Sequence, residues 1–394
     1  MMKYLFILGR NPELSKAEIF SYFERENIQV NHSKTNLNGL LIELSEKQEK
    51  KLDLKKILSE LGGTVAAGRV LLSGKIDSLV AEIEKKPIYF GRDNKVIYSV
   101  LNFGPEDDLL VILNSMKENF KKDGLKARYK GVSGTMKMQT GEVVHGSPTK
   151  IMLRDMNYFL FVDSDSGNLS FGYLEECYDV EDAEKKDMEK PYRRESLAIS
   201  PRLARILVNL SQTRTGDVLL DPFCGIGVIL GEALLRGIDV IGVDIDREAS
   251  ENAKKNIEWL RKNYQTNARA IIINKNSKDV RIDKADGIAT EPSLGELMLK
   301  HPNKDKAEQI IYEFENLMID VLNNVKMGMK KGAKIAFSSP LIKSQKGRIS
   351  ANMERVCDET GLRVYSLKSS NISFPIREFR PDQIVGRDIF VLVA

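Results

Sequence analysis

The run Leu219-Leu220-Asp221-Pro222-Phe223-Cys224-Gly225-Ile226-Gly227 constrains this chain more than any other stretch. It passes from apolar residues to an acid and a glycine pair, and residues 228–235 then take up helical periodicity. That is strand, tight turn, helix. Glycines at such a turn let the backbone approach a ligand, because a side chain would fill the space. A second apolar run, Asp239-Val240-Ile241-Gly242-Val243-Asp244, also ends in an acid. At the tip of a second strand, Asp244 is placed to accept hydrogen bonds from the two hydroxyls of a ribose. Strands alternate with helices from residue 200 onward, which predicts a doubly wound parallel α/β sheet.

The turn is not the dinucleotide fingerprint G-x-G-x-x-G, since Asp221 leads it and Gly231 comes one position late. A carboxylate at the head of the loop repels a pyrophosphate but suits a ligand carrying an ammonium group. S-adenosylmethionine carries an amino acid head and a ribose, so the spacing favours a methyltransferase over a dehydrogenase.

Composition bounds the rest. At 394 residues the chain is too long for one ordinary core, and two or three domains are expected. No run of about 18 apolar residues is present, and Met1-Met2-Lys3 leads into a strand-like segment, so neither a membrane span nor a signal peptide is expected. The three cysteines lie far apart without metal-ligand spacing, which predicts a reducing, cytoplasmic setting and no metal site. A net charge of +4 is too modest to establish nucleic-acid binding, so basic surface has to be sought locally.

Ahead of residue 200 the pattern is α+β. Residues 3–9 and 39–44 read as strands, 15–23 and 54–61 as helices, and 69–72 as a strand. Beyond them, 76–83 reads as a helix, 96–100 as a strand and 107–120 as an amphipathic helix. Lys126, Arg128 and Lys130 belong to a lysine-rich run over residues 117–150. A solvated face is the commoner origin of such a run; the functional reading is a phosphate-contacting surface whose binding weakens steeply with salt. Residues 181–194 are dense in charge and contain Pro191, the mark of a linker. Ser200 then caps a helix with Pro201 at its first position. Toward the carboxyl end, a helix is expected over 306–329, a strand over 333–337, a helix over 347–360 and a terminal strand over 389–393.

Ligands of open α/β sheets sit beyond the carboxyl ends of the strands. Asp221, Asp244, Asn276 and Glu291 each follow a successive strand, so all four are expected to rim one crevice. Asn276 reads equally as a turn residue and as an acceptor for an adenine amine. Methyl transfer to an exocyclic amine needs acceptors that hold the amine hydrogens and turn the nitrogen lone pair toward the methyl carbon. Glu291 with the Pro292 carbonyl is suited to this, and with an already activated donor, positioning and proton acceptance dominate the rate.

Two further segments carry a family resemblance. Ser200-Pro201-Arg202-Leu203-Ala204-Arg205-Ile206-Leu207-Val208-Asn209-Leu210, followed by Leu220-Asp221-Pro222-Phe223-Cys224-Gly225-Ile226-Gly227, resembles the tRNA guanine-N2 methyltransferases that act on guanosine-10, THUMP-containing RNA methylases. Lys186-Asp187-Met188-Glu189-Lys190-Pro191-Tyr192-Arg193-Arg194 looks like the linker of that family. The similarity is specific over roughly residues 187–246 and looser elsewhere.

The resemblance implies a ferredoxin-like α+β domain over residues 1–73, a THUMP-like RNA-binding domain over 74–180, a linker over 181–199 and a Rossmann-like methyltransferase domain over 200–394. It implies S-adenosyl-L-methionine as cofactor and tRNA as partner. Phe223, Gly225 and Gly227 would shape the methionine side, Asp221 the ammonium, Asp244 the ribose and Asn276 the adenine, with Ile245 and Ser277 beside them. Catalysis would fall to Glu291 and Pro292. Ser293, Leu294, Lys126, Arg128, Lys130, Arg193 and Arg194 would contact the RNA substrate.

The family's tetrad is Asp/Asn-Pro-Pro-Tyr/Phe, and here it stands as Glu291-Pro292-Ser293-Leu294. Leu294 offers no aromatic face to a flipped base, an interaction worth roughly 1–3 kcal/mol. A DNA amine methylase and a catalytically weakened tRNA-binding protein are the alternatives.

Overall fold

The computed structural model describes residues 1–132, 135–145, 151, 155–193, 199–295, 298, 300–367 and 370–394. The chain forms two compact units: Met1–Pro12, Ile28–Ser59 and Gly63–Asp179 make the first, and Glu13–Asn27, Glu60–Gly62 and Val180–Ala394 the second.

In chain order the first part contributes β1 (Met2–Leu8), α1 (Pro12–Arg25), β2 (His32–Asn36), β3 (Gly39–Leu44), α2 (Glu46–Glu49), α3 (Leu54–Glu60) and β4 (Thr64–Gly74). It continues with α4 (Ile76–Lys85), β5 (Lys95–Phe103), α5 (Glu106–Lys122), β6 (Lys126–Tyr129), β7 (Thr135–Lys137), β8 (Val143–His145), β9 (Met156–Val162) and β10 (Leu169–Cys177). Eight of these strands form one sheet in the order β2-β3-β1-β4-β10-β9-β5-β6. Its two faces follow from the alternation along β5. Val96, Tyr98 and Val100 pack with Leu79 and Ile83 of α4 and Ile112 and Met116 of α5. Leu101 and Phe103 point to the opposite core, shared with Met136 and Val144 of the β7–β8 hairpin.

The second unit adds α6 (Val180–Glu189), α7 (Pro201–Leu210), β11 (Val218–Asp221), α8 (Val228–Leu234), β12 (Asp239–Asp244), α9 (Arg247–Tyr264), β13 (Ala270–Asn274) and β14 (Gly287–Thr290). Then come α10 (Lys304–Val325), β15 (Lys334–Ser344), β16 (Gly347–Ile349), α11 (Met353–Thr360), β17 (Arg363–Val364), β18 (Ser366–Leu367), β19 (Ile372–Ser373), β20 (Ile376–Glu378) and β21 (Val385–Val393). The central sheet runs β13-β12-β11-β14-β15-β21-β17, parallel from β13 through β15, with β21 antiparallel to β15. Helix starts follow local caps: the Ser200 hydroxyl accepts from the Leu203 N–H and Pro201 opens α7, and Asp246 accepts from the Glu248 and Ala249 N–H groups to open α9.

Within the charge-dense segment, α6 occupies Val180–Glu189, where Lys186 pairs with Asp182 one turn back and nothing breaks the helix before Pro191. Two expectations are corrected. Residues 347–360 do not form one helix. Gly347–Ile349 turns back onto β15 as a strand, and α11 begins only where the Asn352 side chain accepts from the Arg355 N–H. The strand expected over 333–337 extends to Ser344, through Pro340. The missing N–H of Pro340 costs nothing toward β14, whose pairing with β15 has already ended at Thr290–Phe337.

Helix α1 docks through buried charge. Arg25 is 4% exposed; its Nη2 lies 2.6 Å from the Glu60 carboxylate and its Nη1 donates to Asn209 Oδ1 at 3.3 Å. Asn209 in turn donates to Glu18 at 2.6 Å, and the Ser21 hydroxyl donates to the Asn209 carbonyl. Removing one member of such a pair leaves a desolvated charge without its partner. Arg25→Ala is therefore expected to destabilise the second unit by about 3 kcal/mol, read as a lowered midpoint in denaturant unfolding.

Candidate active site

Strand β11 pairs with β12 on one side and β14 on the other, with Leu220 level with Ile241 and Ile288. The chain runs from β11 outward to β13, then returns to β14 on the far side. The crevice of such a sheet lies where that direction reverses, beyond the carboxyl ends of β11 and β14. A cavity of about 460 Å³ opens there, within the ~300–1,000 Å³ typical of small-molecule sites. It brings together Asp221, Phe223, Gly225, Asp244, Ile245, Asn276, Ser277, Glu291, Pro292, Ser293 and Leu294.

Asp221 is the most deeply placed, 1% exposed. Its Oδ1 accepts from the Thr290 hydroxyl at 2.5 Å and from the Phe223 N–H at 3.1 Å. Burial pushes its pKa up to about 7, against the pull of those two hydrogen bonds, and the nearby carboxylates of Asp244 and Glu291 add to the rise. Asp244 is differently held. The Gly225 N–H donates to Oδ2 at 2.7 Å and the Asp246 N–H to Oδ1 at 2.9 Å. A carboxylate has about four lone-pair sites, so each Asp244 oxygen keeps one for a ligand.

The glycine pair divides its labour. Gly225 has φ of 51°, and a Cβ built on it meets nothing within 4 Å, so the loop there is open toward the cavity. Gly227 does not line the cavity. At φ of 83° it is the N-cap of α8, its N–H donating to the Cys224 carbonyl at 2.8 Å, which gives it a part in forming the turn. Cys224 is buried and burial pushes its thiol pKa up, which disfavours the nucleophilic thiolate.

On the far wall the Asn276 side chain accepts from the Lys278 N–H at 3.0 Å, making it a turn residue at the cavity's edge. Ser277 is buried and donates its hydroxyl to the Pro222 carbonyl, tying two strand-end loops together. Ile245 is 71% exposed beside them. Glu291 is clamped: Arg387 Nε and Nη2 donate to its Oε2 and Oε1 at 2.6 and 2.9 Å, and the Ser338 hydroxyl donates to Oε2 at 2.6 Å. Thr290, Ser338 and Arg387 went unseen in the sequence. Thr290 could have been flagged as the last residue of its strand; Arg387 lies 96 residues beyond Glu291 and carries no local motif.

Comparison with known proteins fits this geometry. The family described as "RMKL-like, methyltransferase domain" matches residues 191–326, and a DNA methylase family matches 76–255. A tRNA (guanine(10)-N2)-dimethyltransferase of Methanothermobacter thermautotrophicus is 34% identical over 144 residues, 36% of this chain and 39% of the relative. That of Methanocaldococcus jannaschii is 27% identical over 225 residues, 53% of this chain and 58% of the relative. A probable tRNA (guanine(10)-N2)-dimethyltransferase of Methanothermococcus thermolithotrophicus is 34% identical over 146 residues, which cover 35% of this chain and 79% of the relative. The chain belongs to the tRNA (guanine(10)-N2)-dimethyltransferase family.

It spans 39% and 58% of the length of the first two family members named. Its fold is that of TrmN from Thermus thermophilus, at 13% identity and a TM-score of 0.50, with 99% of both chains covered.

The other predicted positions of this family member lie elsewhere. In the first unit, Lys126 and Arg128 are exposed on β6, level with Lys95 and the exposed Ile97 of β5. Lys130 follows β6 and pairs with Asp155 at 3.4 Å, so part of its charge is already met. In the second unit, Arg193 lies 3.7 Å from Asp187. Arg194 is outside the described residues. Among the described residues, no group of three or more His, Cys, Asp or Glu side chains could hold a metal ion, and no helix is long and apolar enough to cross a membrane.

Asp221 predicts a pH signature. The folded protein holds a proton there up to about pH 7, whereas an unfolded aspartate releases it near pH ~3.9. The folded state therefore binds more protons across that window, and its stability falls as pH rises through it. The loss is complete above about pH 7. Tm measured against pH is expected to decline more steeply between pH 4 and 7 in the wild type than in Asp221→Asn, which keeps both acceptor bonds without titrating.

Proposed function

We propose that this protein is an S-adenosyl-L-methionine-dependent methyltransferase that modifies the exocyclic N2 amine of a guanine in tRNA, at the guanosine-10 type of position. The observation that carries the proposal is the convergence of Asp221, Asp244, Asn276 and Glu291-Pro292 on one cavity at the sheet's switch point. Membership of the family supports the substrate class.

The residues present fit the methyl donor. Asp221 offers a buried carboxylate to an ammonium group, and Asp244 keeps a lone pair on each oxygen for the ribose hydroxyls. The open space at Gly225 admits the methionine side, and Phe223, Ile245, Asn276 and Ser277 border the remaining wall. When bound, the donor supplies a methyl group already activated by positive sulfur. The protein's own task is then to hold the acceptor amine in line, exclude water and hold the amine hydrogens. Glu291 and the Pro292 carbonyl perform the last, while Ser293 and Leu294 border the base.

The N-terminal α+β part supplies the grip on RNA in this reading: a ferredoxin-like segment over residues 1–73 and a THUMP-like one over 74–180. Lys126 and Arg128 lead the contact, and Lys130, Arg193 and Arg194 lie in the segments that would extend it. A cytoplasmic location follows from the substrate. The DNA methylase match over residues 76–255 favours one second reading, a DNA amine methylase, and duplex DNA competing equally with tRNA would favour it.

Nucleoside mass spectrometry of tRNA incubated with the protein and S-adenosylmethionine tests the proposal: N2-methylated guanosine is expected, and its absence from every tRNA digest overturns the reading. Affinity for the demethylated cofactor, measured by calorimetry, is expected to rise with pH through about 7 as Asp221 gains its charge, and to weaken and flatten in Asp221→Asn. The double substitution Lys126→Ala/Arg128→Ala is expected to reduce the slope of log K for tRNA against log salt by about 1–2, since each lost phosphate contact removes about 0.7–0.9.

A further inference from the structure

Glu291 stands where the amine acceptor is needed, and three donors already hold its carboxylate. Arg387 grips it with a two-pronged fork, Nε on Oε2 at 2.6 Å and Nη2 on Oε1 at 2.9 Å. The Ser338 hydroxyl adds a second bond to Oε2 at 2.6 Å. The pair is sheltered, with side-chain exposures of 16% for Arg387 and 7% for Glu291. A fork of this kind fixes the plane of a carboxylate as well as its place. Of its roughly four lone-pair sites, three are taken, and the one remaining is on Oε1.

We infer that Arg387 and Ser338 are positioning residues for the acceptor amine, holding Glu291 so that it presents a single Oε1 lone pair to one amine hydrogen. The inference rests on the functional reading above. Glu291 then acts as a fixed hydrogen-bond acceptor. The Pro292 carbonyl takes the other amine hydrogen, and the nitrogen lone pair is left to form the new N–C bond while the donor's C–S bond breaks, its electron pair remaining on sulfur. The proton shed by the methylated amine leaves along the hydrogen bond it already makes to the remaining Oε1 lone pair of Glu291, and passes to solvent once the product leaves and water re-enters the site. Pairing also cancels the charge of the corner, so a phosphate backbone drawn past it meets no net negative charge from Glu291.

The reach of a glutamate is longer than that of the aspartate or asparagine of the family tetrad by one methylene. Arg387 and Ser338 compensate by drawing the carboxylate across β15 toward β21, on which Arg387 sits opposite Pro340. An unclamped glutamate would sample several rotamers and hold the amine in line only part of the time.

The test compares wild type with Arg387→Ala, Arg387→Lys and Ser338→Ala in single-turnover methylation of tRNA, with cofactor-analogue and tRNA affinities measured in parallel. Arg387→Ala is expected to slow the chemical step by about 10- to 100-fold, as misplacement by an ångström does, with both affinities within about two-fold of wild type. Lysine supplies a point charge without the fork and is expected to recover part of the rate. Millimolar guanidinium added to Arg387→Ala is expected to restore rate, which a merely structural role would not do. Ser338→Ala, which removes one neutral donor, is expected to slow the step about five-fold; being a small change, it decides the matter should Arg387→Ala lose its fold. Methylation by Arg387→Ala or Ser338→Ala within two-fold of wild type overturns the role given to that residue. A wild type that binds the cofactor analogue yet methylates no tRNA overturns the functional reading, and the inference with it.

Discussion

Parallel pairing across β12, β11 and β14 is the constraint from which the site follows. Once Leu219 is level with Val240 on one neighbour and Gly287 on the other, the residues that end the three strands have no freedom to separate. Asp221, Asp244 and Glu291 must emerge at the same edge of the sheet. The crossover connections then leave the gap between β11 and β14 uncovered, since the chain leaves that point in one direction and returns from the other. The buried aliphatic faces of Leu220, Val243 and Ile288 hold this register. A one-residue slip would exchange side chains between the two covered faces, both of which are packed: Leu219 and Leu220 are equally buried, as are Ile288 and Ala289.

Placing three carboxylates around one cavity creates an electrostatic problem, and each is resolved by a different means. Asp244 is surrounded by donors from its own loop and from the glycine turn, so backbone dipoles carry its charge. Glu291 is matched by a fully ionised side chain from a distant strand. Asp221 has neither solution. It receives a hydroxyl and one N–H, which do not offset its burial, and it keeps its proton to about pH 7. In the proposed reading a cationic ligand group beside Asp221 would supply what the protein withholds, so the residue that weakens the fold at high pH would strengthen the hold on such a ligand.

The parts of this arrangement that were legible in the sequence are those encoded within a few residues. The strand-turn-helix of residues 219–235, the acid at the end of β12, the Ser200-Pro201 start of α7 and the acid-proline corner at 291 each have a local physical cause, in periodicity, capping or turn geometry. Misreadings arose where a neighbour overrides local preference. Residues 347–349 become a strand because β15 offers an open edge, and Pro340 sits inside a strand because one of its neighbours has already ended. Of the glycine pair, Gly225 faces open space, whereas a Cβ on Gly227 would meet Ala253. Asn276 could be read two ways; the structure gives its oxygen to the Lys278 N–H.

Non-local partners are a different matter, and Arg387 illustrates why. Its sequence neighbourhood, Ile384-Val385-Gly386-Arg387-Asp388, reads as an ordinary terminal strand. What brings it to Glu291 is the antiparallel return of β21 along β15, which places Arg387 opposite Pro340, two residues beyond the Ser338 that shares its target. That reversal follows the parallel run of β13 through β15. A strand entering from the opposite end places its early residues, not its late ones, at the rim where β11, β12 and β14 end, so β21 reaches Glu291 with Arg387, its third residue. A strand that runs against its parallel neighbours is thus able to deliver a side chain to the rim from the carboxyl end of the chain.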